Sequence, residues 1–187
     1  MRRDVLTDQA ERERDQAERS QVVKLRTVPH GLEAIRETYG WPLDAEGNAD
    51  SGFKLDRLDM VGLPFPMRLS WDPDTTVTRT LCHTLVANSL LDALQGLRDR
   101  RGYEYLRESG LDMFGGVYNV RLKRGNPEEP STHSWGIAID INPHLGPLGE
   151  EPRMPDWIVH EFTRRGWIWG GNWSYPDGMH FQACSGY

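Results

Sequence analysis

Cysteine is scarce: Cys82 and Cys184 are the only two in 187 residues, and no CxxC pair occurs. That excludes a disulfide framework and a structural zinc held by four thiolates. A single bridge stays open beside two free thiols in a reducing compartment. No apolar run reaches the roughly 18–20 residues that cross a bilayer, so no membrane insertion is expected. After Met1-Arg2-Arg3 come Asp4 and a run of charges where a signal peptide would place its apolar centre. The chain is therefore expected to be made in a cytoplasm. Positive charge is not in excess: the formal net charge is −6 and the isoelectric point about 5.5. Nucleic acid has no electrostatic footprint here to bind. No internal repeat is visible.

What is present suits an ordinary soluble domain, with 37% hydrophobic and 27% charged residues. The length fits one domain with a short appendage and a real core. Residues 7–22 are charged and free of Gly and Pro, and Leu6, Ala10 and Ala17 give only a thin apolar stripe. They read as a solvated helix, either an attachment arm that contacts another protein or a frayed helix packed loosely on the domain. Composition shifts near Val28-Pro29-His30-Gly31, which divides a charged N-terminal arm (1–27) from a catalytic domain (28–187).

Within that domain a short helix is predicted over 32–39, ended by Gly40 and Pro42. Residues 43–75, rich in Gly, Pro and Asp, read mostly as loop with short extended pieces near Met60-Val61 and 67–69. From Thr76 to Asp99 the apolar spacing predicts the main scaffold helix, capped by Asp74 or Thr75. Residues 111–122 read as strand and 123–130 as a polar loop. A helix is predicted at 155–165, opened by Pro155 and closed by Gly166. The end reads as strand, glycine turn and final strand.

Residues 131–142, Ser-Thr-His-Ser-Trp-Gly-Ile-Ala-Ile-Asp-Ile-Asn, organise the rest. From Gly136 the pattern alternates, with Ile137, Ile139 and Ile141 on one face and Gly136, Ala138, Asp140 and Asn142 on the other. The isoleucines can enter a core, while small residues clear space before the Asp140 carboxylate. Near the end, Met179 and Phe181 alternate with His180 and Gln182. If the two strands are neighbours, His133, Asp140 and His180 share one pocket. Two imidazoles and a carboxylate with an open fourth position is the donor set of catalytic zinc, which lowers the pKa of a bound water towards about 7. Asp177, on the turn entering the last strand, is the candidate general base. Arg121, on the preceding strand, is the candidate oxyanion-stabilising charge, with Arg124 in reserve.

Ser131-x-His133, Trp135-Gly136-x-Ala138-x-Asp140-Ile141-Asn142 and Asp177-x-Met179-His180-Phe181 together resemble the zinc D-Ala-D-Ala carboxypeptidase (VanY-like) family. That family includes the L-alanyl-D-glutamate endopeptidases of phage endolysins. Gly116-Val-Tyr-Asn-Val-Arg121 looks like its arginine-bearing strand, and the tryptophan-rich run from Gly166 like its pre-terminal segment. The likeness is good over 110–182, loose over 28–100, and does not reach the arm. It implies one zinc on His133, Asp140 and His180, base Asp177, transition-state Arg121 and a supporting Ser131. It also implies an α+β fold of the D-Ala-D-Ala peptidase and hedgehog-like kind. In that fold a small antiparallel sheet carries the zinc site on one face, and helices pack on the other. The implied substrate is a peptidoglycan stem peptide, cut after release of the enzyme or from within a phage particle. Carboxypeptidase and dipeptidase branches commonly carry Glu where Asp177 stands, which turns the reading towards the endopeptidase branch.

Blander readings stand beside these. Most of the seven tryptophans are expected in the core. Trp135 and one of Trp169 or Trp173 are expected to line the cleft. His160-Glu161 suggests a His-Glu-x-x-His helix, but position 164 is Arg and the motif fails. His144 rivals the ligands by spacing but follows Pro143 at a loop entry, and Cys184 lies near His180 in sequence. A D-alanyl-D-alanine carboxypeptidase or dipeptidase, or a zinc-bearing module that binds wall without cutting it, remain alternatives.

Overall fold

The computed structural model describes residues 22–124 and 126–187. The helix expected over 7–22 falls almost wholly outside them. Residues 22–27 carry no helix or strand and lie along the domain, where the Leu25 amide donates to the Arg165 carbonyl at 2.9 Å.

Helix α1 (Gly31–Tyr39) buries Ile35 and Tyr39 and stops at Gly40 as expected. Helix α2 (Ser51–Arg57) follows, capped by Asp50, whose carboxylate accepts from the Phe53 amide. The next region corrects the sequence reading. In place of loop and then helix stand two twelve-residue strands, β1 (Leu58–Leu69) and β2 (Asp72–His83), paired as one long antiparallel hairpin. Residues 76–80, Thr-Val-Thr-Arg-Thr, are mostly β-branched and suit a pleated surface. Apolar residues further on extended the helical pattern falsely backwards over them.

The scaffold helix α3 (Thr84–Arg101) starts only at Thr84. Its cap is His83, whose Nδ1 accepts from the Leu85 amide at 3.2 Å, not Asp74 or Thr75. Helix α4 (Tyr103–Glu108) leads to β3 (Met113–Gly116), which is shorter than the strand expected over 111–122. After it, residues 117–121 leave the sheet and bond to the loop ahead of them. The Asn119 amide donates to the His133 carbonyl (3.1 Å) and the Ser131 amide to the Arg121 carbonyl (2.8 Å). The expected loop at 123–130 is largely a small hairpin, β4 (Leu122–Lys123) with β5 (Asn126–Pro130).

Strand β6 (Ala138–Ile141), helix α5 (Asp156–Thr163), β7 (Ile168–Trp169) and β8 (His180–Gln182) complete the chain. The sheet order is β2-β1-β3-β6-β8-β7. All neighbours are antiparallel except β1 and β3, which run parallel. The α+β expectation therefore holds with one parallel pair added. Ile137, Ile139, Ile141 and Phe181 are fully buried. Phe181 stacks on Phe162 of α5 with ring centroids 4.3 Å apart, a contact worth roughly 0.5–1.5 kcal/mol beyond the area it buries. Arg165 ties α5 to α3 through Glu161 (2.7 Å) and Asp92 (2.6 Å). Both cysteines are buried free thiols.

Buried His83 carries a pH consequence. Its Nε2 faces the Tyr39 carbonyl at 3.1 Å, so that nitrogen holds the single proton while Nδ1 takes the Leu85 N–H. A second proton would face a donor. Burial pushes its pKa down to about 4, with the Tyr39 carbonyl opposing and Arg57 reinforcing. The unfolded chain then takes up this proton near pH 6.5 while the folded chain resists to about pH 4. Stability is full above pH 6.5 and falls as pH drops towards 4, by up to about 3 kcal/mol from this residue. Urea unfolding across that window should show the loss in the native chain, and His83→Asn, which keeps a cap acceptor, should lack that component.

Candidate metal centre

The site grows from a cross-strand pair. In the antiparallel ladder of β6 and β8, Asp140 lies opposite His180 and Ile139 opposite Phe181. Opposed residues share a face, so the polar pair and the apolar pair take opposite sides of the sheet. The third member comes from the turn before β6. Ser131 caps a 3₁₀ turn (Thr132–Trp135), its hydroxyl accepting from the His133 amide at 3.4 Å. The Ser134 hydroxyl donates to the Arg121 carbonyl (2.9 Å) and accepts from its amide (3.1 Å).

Gly136 then takes φ +68°, a left-handed conformation that L side chains rarely adopt, to swing the chain into β6. The strand consequently begins at Ala138 rather than Gly136. Ala138 and Asn142 are also fully buried and clear no space. Asn142 instead caps β3, its Oδ1 accepting from the Met113 amide at 3.1 Å. Gly115 instead lets β3 close up against β6 at Asp140. A Cβ there would sit 2.7 Å from the Asp140 Cβ and 2.9 Å from its carbonyl oxygen.

These elements bring His133, Asp140 and His180 together, with one ligand atom from each within 4.8 Å of the others. His180 Nδ1 lies 2.8 Å from Asp140 Oδ1, and His133 Nε2 lies 3.2 Å from the same oxygen. The far side of His133 is settled: its Nδ1 is 2.8 Å from the Val117 carbonyl. A carbonyl only accepts, so the His133 proton sits on Nδ1 and Nε2 is a bare lone pair. That Nε2 is buried without a hydrogen-bond partner. A buried lone pair aimed at a carboxylate lacks a cation between them. The donor set therefore fits a metal ion, and its two nitrogens and one oxygen are ligands zinc accepts.

Burial alone would raise the Asp140 pKa, yet hydrogen bonds and positive charge from the His133 and His180 rings in their protonated form outweigh it and hold the carboxyl far below its ordinary range. Asp177 shifts the other way. Burial raises it, His180 opposes, and the Asp140 charge adds to the rise. Its Oδ1 is buried with no hydrogen-bond partner among the described residues. Asp177 is brought into place by two backbone bonds, its amide to the Gly170 carbonyl (3.0 Å) and the His180 amide to its own carbonyl (3.1 Å).

A cleft of about 260 Å³ opens over the group. Arg121, Arg124, Ser131, Trp173 and Asp177 all line it. Arg121 sits in the irregular stretch before β4 rather than on a strand. Trp173 lies over His180, centroids 5.5 Å apart. Trp135 does not line the cleft. It is fully buried, its indole N–H donating to the Gly40 carbonyl at 2.8 Å and its ring meeting Trp41 and Tyr187 edge-on. Trp169 is turned away as well, its N–H on the Gly178 carbonyl (2.9 Å) and its ring along Phe181. His144 and His160 are exposed, and neither they nor Cys184 belong to the metal group.

Sequence reasoning missed Lys123, Tyr187 and Gln182 in the lining. Gln182 was findable, since it shares the alternating face of His180. Tyr187 gave no such signal; it arrives because its hydroxyl donates to the Pro130 carbonyl at 2.6 Å.

A family model described as D-alanyl-D-alanine carboxypeptidase matches residues 124–183, the span that holds all three members of the group and Asp177. This supports a peptidase of that type. No curated protein and no solved structure matches the chain significantly.

Elemental analysis of the purified chain should find about one metal ion per molecule. His133→Ala or Asp140→Ala should lower that content at least tenfold, whereas Asp177→Asn should keep it.

Proposed function

We propose that this chain is a zinc-dependent peptidase that hydrolyses an amide bond in the stem peptides of bacterial peptidoglycan, as an L-alanyl-D-glutamate endopeptidase of the cell-wall lysin type. One observation carries the reading: two imidazoles and a carboxylate converge beneath an open cleft, with a partnerless carboxylate oxygen of Asp177 buried in its lining. Three protein ligands leave a position for water or substrate. Zinc held by His133, Asp140 and His180 supplies Lewis-acid polarisation of the scissile carbonyl and acidifies a water.

The protein's own groups do the rest. Asp177 accepts the attacking water's proton and returns it to the leaving amine. Its upward-shifted pKa makes it a stronger base than an exposed aspartate, closer to the pH at which it works. Arg121, free of side-chain partners among the described residues, offers positive charge to the oxyanion, and Arg124 stands beside it. The two arginines make a basic rim on a chain of net charge −6, Lys123 beside them being paired with Glu129, which suits a substrate bearing a carboxylate. Trp173 offers an apolar wall against which a side chain or methyl group can lie.

The endopeptidase branch is favoured by the shorter acid at Asp177. The second reading, a D-alanyl-D-alanine carboxypeptidase, is favoured by the description of the matching family model. Purified peptidoglycan digested with the zinc-loaded chain separates them. Mass spectrometry of the products should find new D-glutamate amino termini, whereas free D-alanine as the sole product would establish the carboxypeptidase. In the same assay Asp177→Asn should retain zinc and lose on the order of 10²–10⁴-fold in turnover. Undiminished turnover would remove Asp177 from the role of base.

A further inference from the structure

We infer that Gln182 is a positioning residue for the metal centre: it fixes the tautomer of His180 and so keeps the ligating nitrogen of that imidazole free of a proton. The inference rests on the metal-site reading for its purpose, though not for its geometry. An imidazole binds a metal only through a nitrogen that carries no hydrogen, and the partner of the other nitrogen decides which one that is. His133 is decided by a backbone carbonyl. His180 presents the opposite nitrogen to the group, Nδ1 at 2.8 Å from Asp140 Oδ1, so with a metal on Nδ1 its proton belongs on Nε2.

The groups around Nε2 are Gln182 Oε1 at 3.0 Å and the Thr132 hydroxyl at 3.4 Å. A hydroxyl gives or takes and decides nothing. A glutamine amide could also present its NH₂ and drive the tautomer the wrong way. What prevents this is the other end of the same amide: Gln182 Nε2 donates to the Cys184 carbonyl at 3.0 Å. Turning the amide over would set two carbonyl oxygens against each other and an NH₂ against the ring. Gln182 is only 3% exposed, so water cannot readily compensate.

The Cys184 carbonyl is itself held in place by its surroundings. The Ala183 amide donates to the Ile137 carbonyl (2.9 Å), the Ser185 amide to the Pro29 carbonyl (2.9 Å), and the Tyr39 hydroxyl to the Ala183 carbonyl (2.9 Å). Orientation thus passes from the backbone after β8 to an amide, from the amide to the imidazole, and from the imidazole to the ion. This gives the buried, alternating Gln182 a purpose that packing alone does not require.

The test compares the full chain with Gln182→Met, which keeps length but removes the acceptor, and Gln182→Glu, which keeps an acceptor. Zinc affinity is measured by competition with a chromophoric chelator. The His180 tautomer is read from long-range ¹H–¹⁵N spectra of the metal-free protein in alkaline buffer, and thermal unfolding is followed separately. Gln182→Met should weaken zinc binding about 10–100-fold and shift His180 away from the Nε2–H form, and Gln182→Glu, which keeps the acceptor but sets an oxygen against the Cys184 carbonyl, should recover only part of the affinity while keeping that form. A merely structural glutamine would change the unfolding temperature in both variants while leaving affinity and tautomer alone. Affinity of Gln182→Met within about twofold of the native chain, or a native His180 protonated on Nδ1, would overturn the inference. If the native chain takes up no zinc, the metal-site reading fails, and the tautomer spectra still decide what Gln182 does.

Discussion

Everything at the centre depends on the register between β6 and β8. Asp140 faces His180 across that ladder, and Ile139 faces Phe181. Because side chains alternate, a slip of one residue would turn the carboxylate into the core and an isoleucine into the cleft. The apolar side prevents the slip: Ile137, Ile139, Ile141 and Phe181 are fully buried, with Phe181 stacked on α5. The hydrophobic face that holds the sheet to its helices is thus what aligns Asp140 and His180 on the other side. The third, His133, reaches them through the 3₁₀ turn and the left-handed Gly136.

Two carboxylates near one another are driven apart by their surroundings. Asp140, although buried, is held ionised by the two imidazoles; Asp177 has no such partner on its Oδ1 and is raised by burial. A pair of acids whose environments push them in opposite directions is what the proposed division between a metal ligand and a proton carrier needs. The surrounding charge follows the same logic. Arg121 and Arg124 put positive charge at the mouth of the cleft, while Lys123 pairs with Glu129 at 2.7 Å.

The site was more legible in the sequence than the fold that carries it. His133, Asp140, His180 and Asp177 stand in short segments whose alternation is local, so the face each side chain takes could be read from its neighbours. Arg121 and Trp173 line the cleft, while Trp135 went to the core, where its indole finds the Gly40 carbonyl. The long β1–β2 hairpin was misread because its pairing joins residues as distant as Leu58 and His83, and such pairing leaves little trace in a local window. Apolar residues of α3 lent a helical period to Thr76–Thr80, and His83, which caps α3, packs against Tyr39 and Phe53, residues distant in sequence. Tyr187 entered the lining through a tertiary hydrogen bond that no motif announces.

The central claim is that one zinc is held by two imidazoles and one carboxylate, with a position left open and no thiolate involved. X-ray absorption at the zinc edge of the purified chain tests it most directly. The expected shell holds about four nitrogen and oxygen scatterers near 2.0–2.1 Å, with the multiple-scattering signature of two imidazoles. A sulfur scatterer near 2.3 Å, which would bring in Cys184 or Cys82, or a chain that retains no zinc at all, would contradict it.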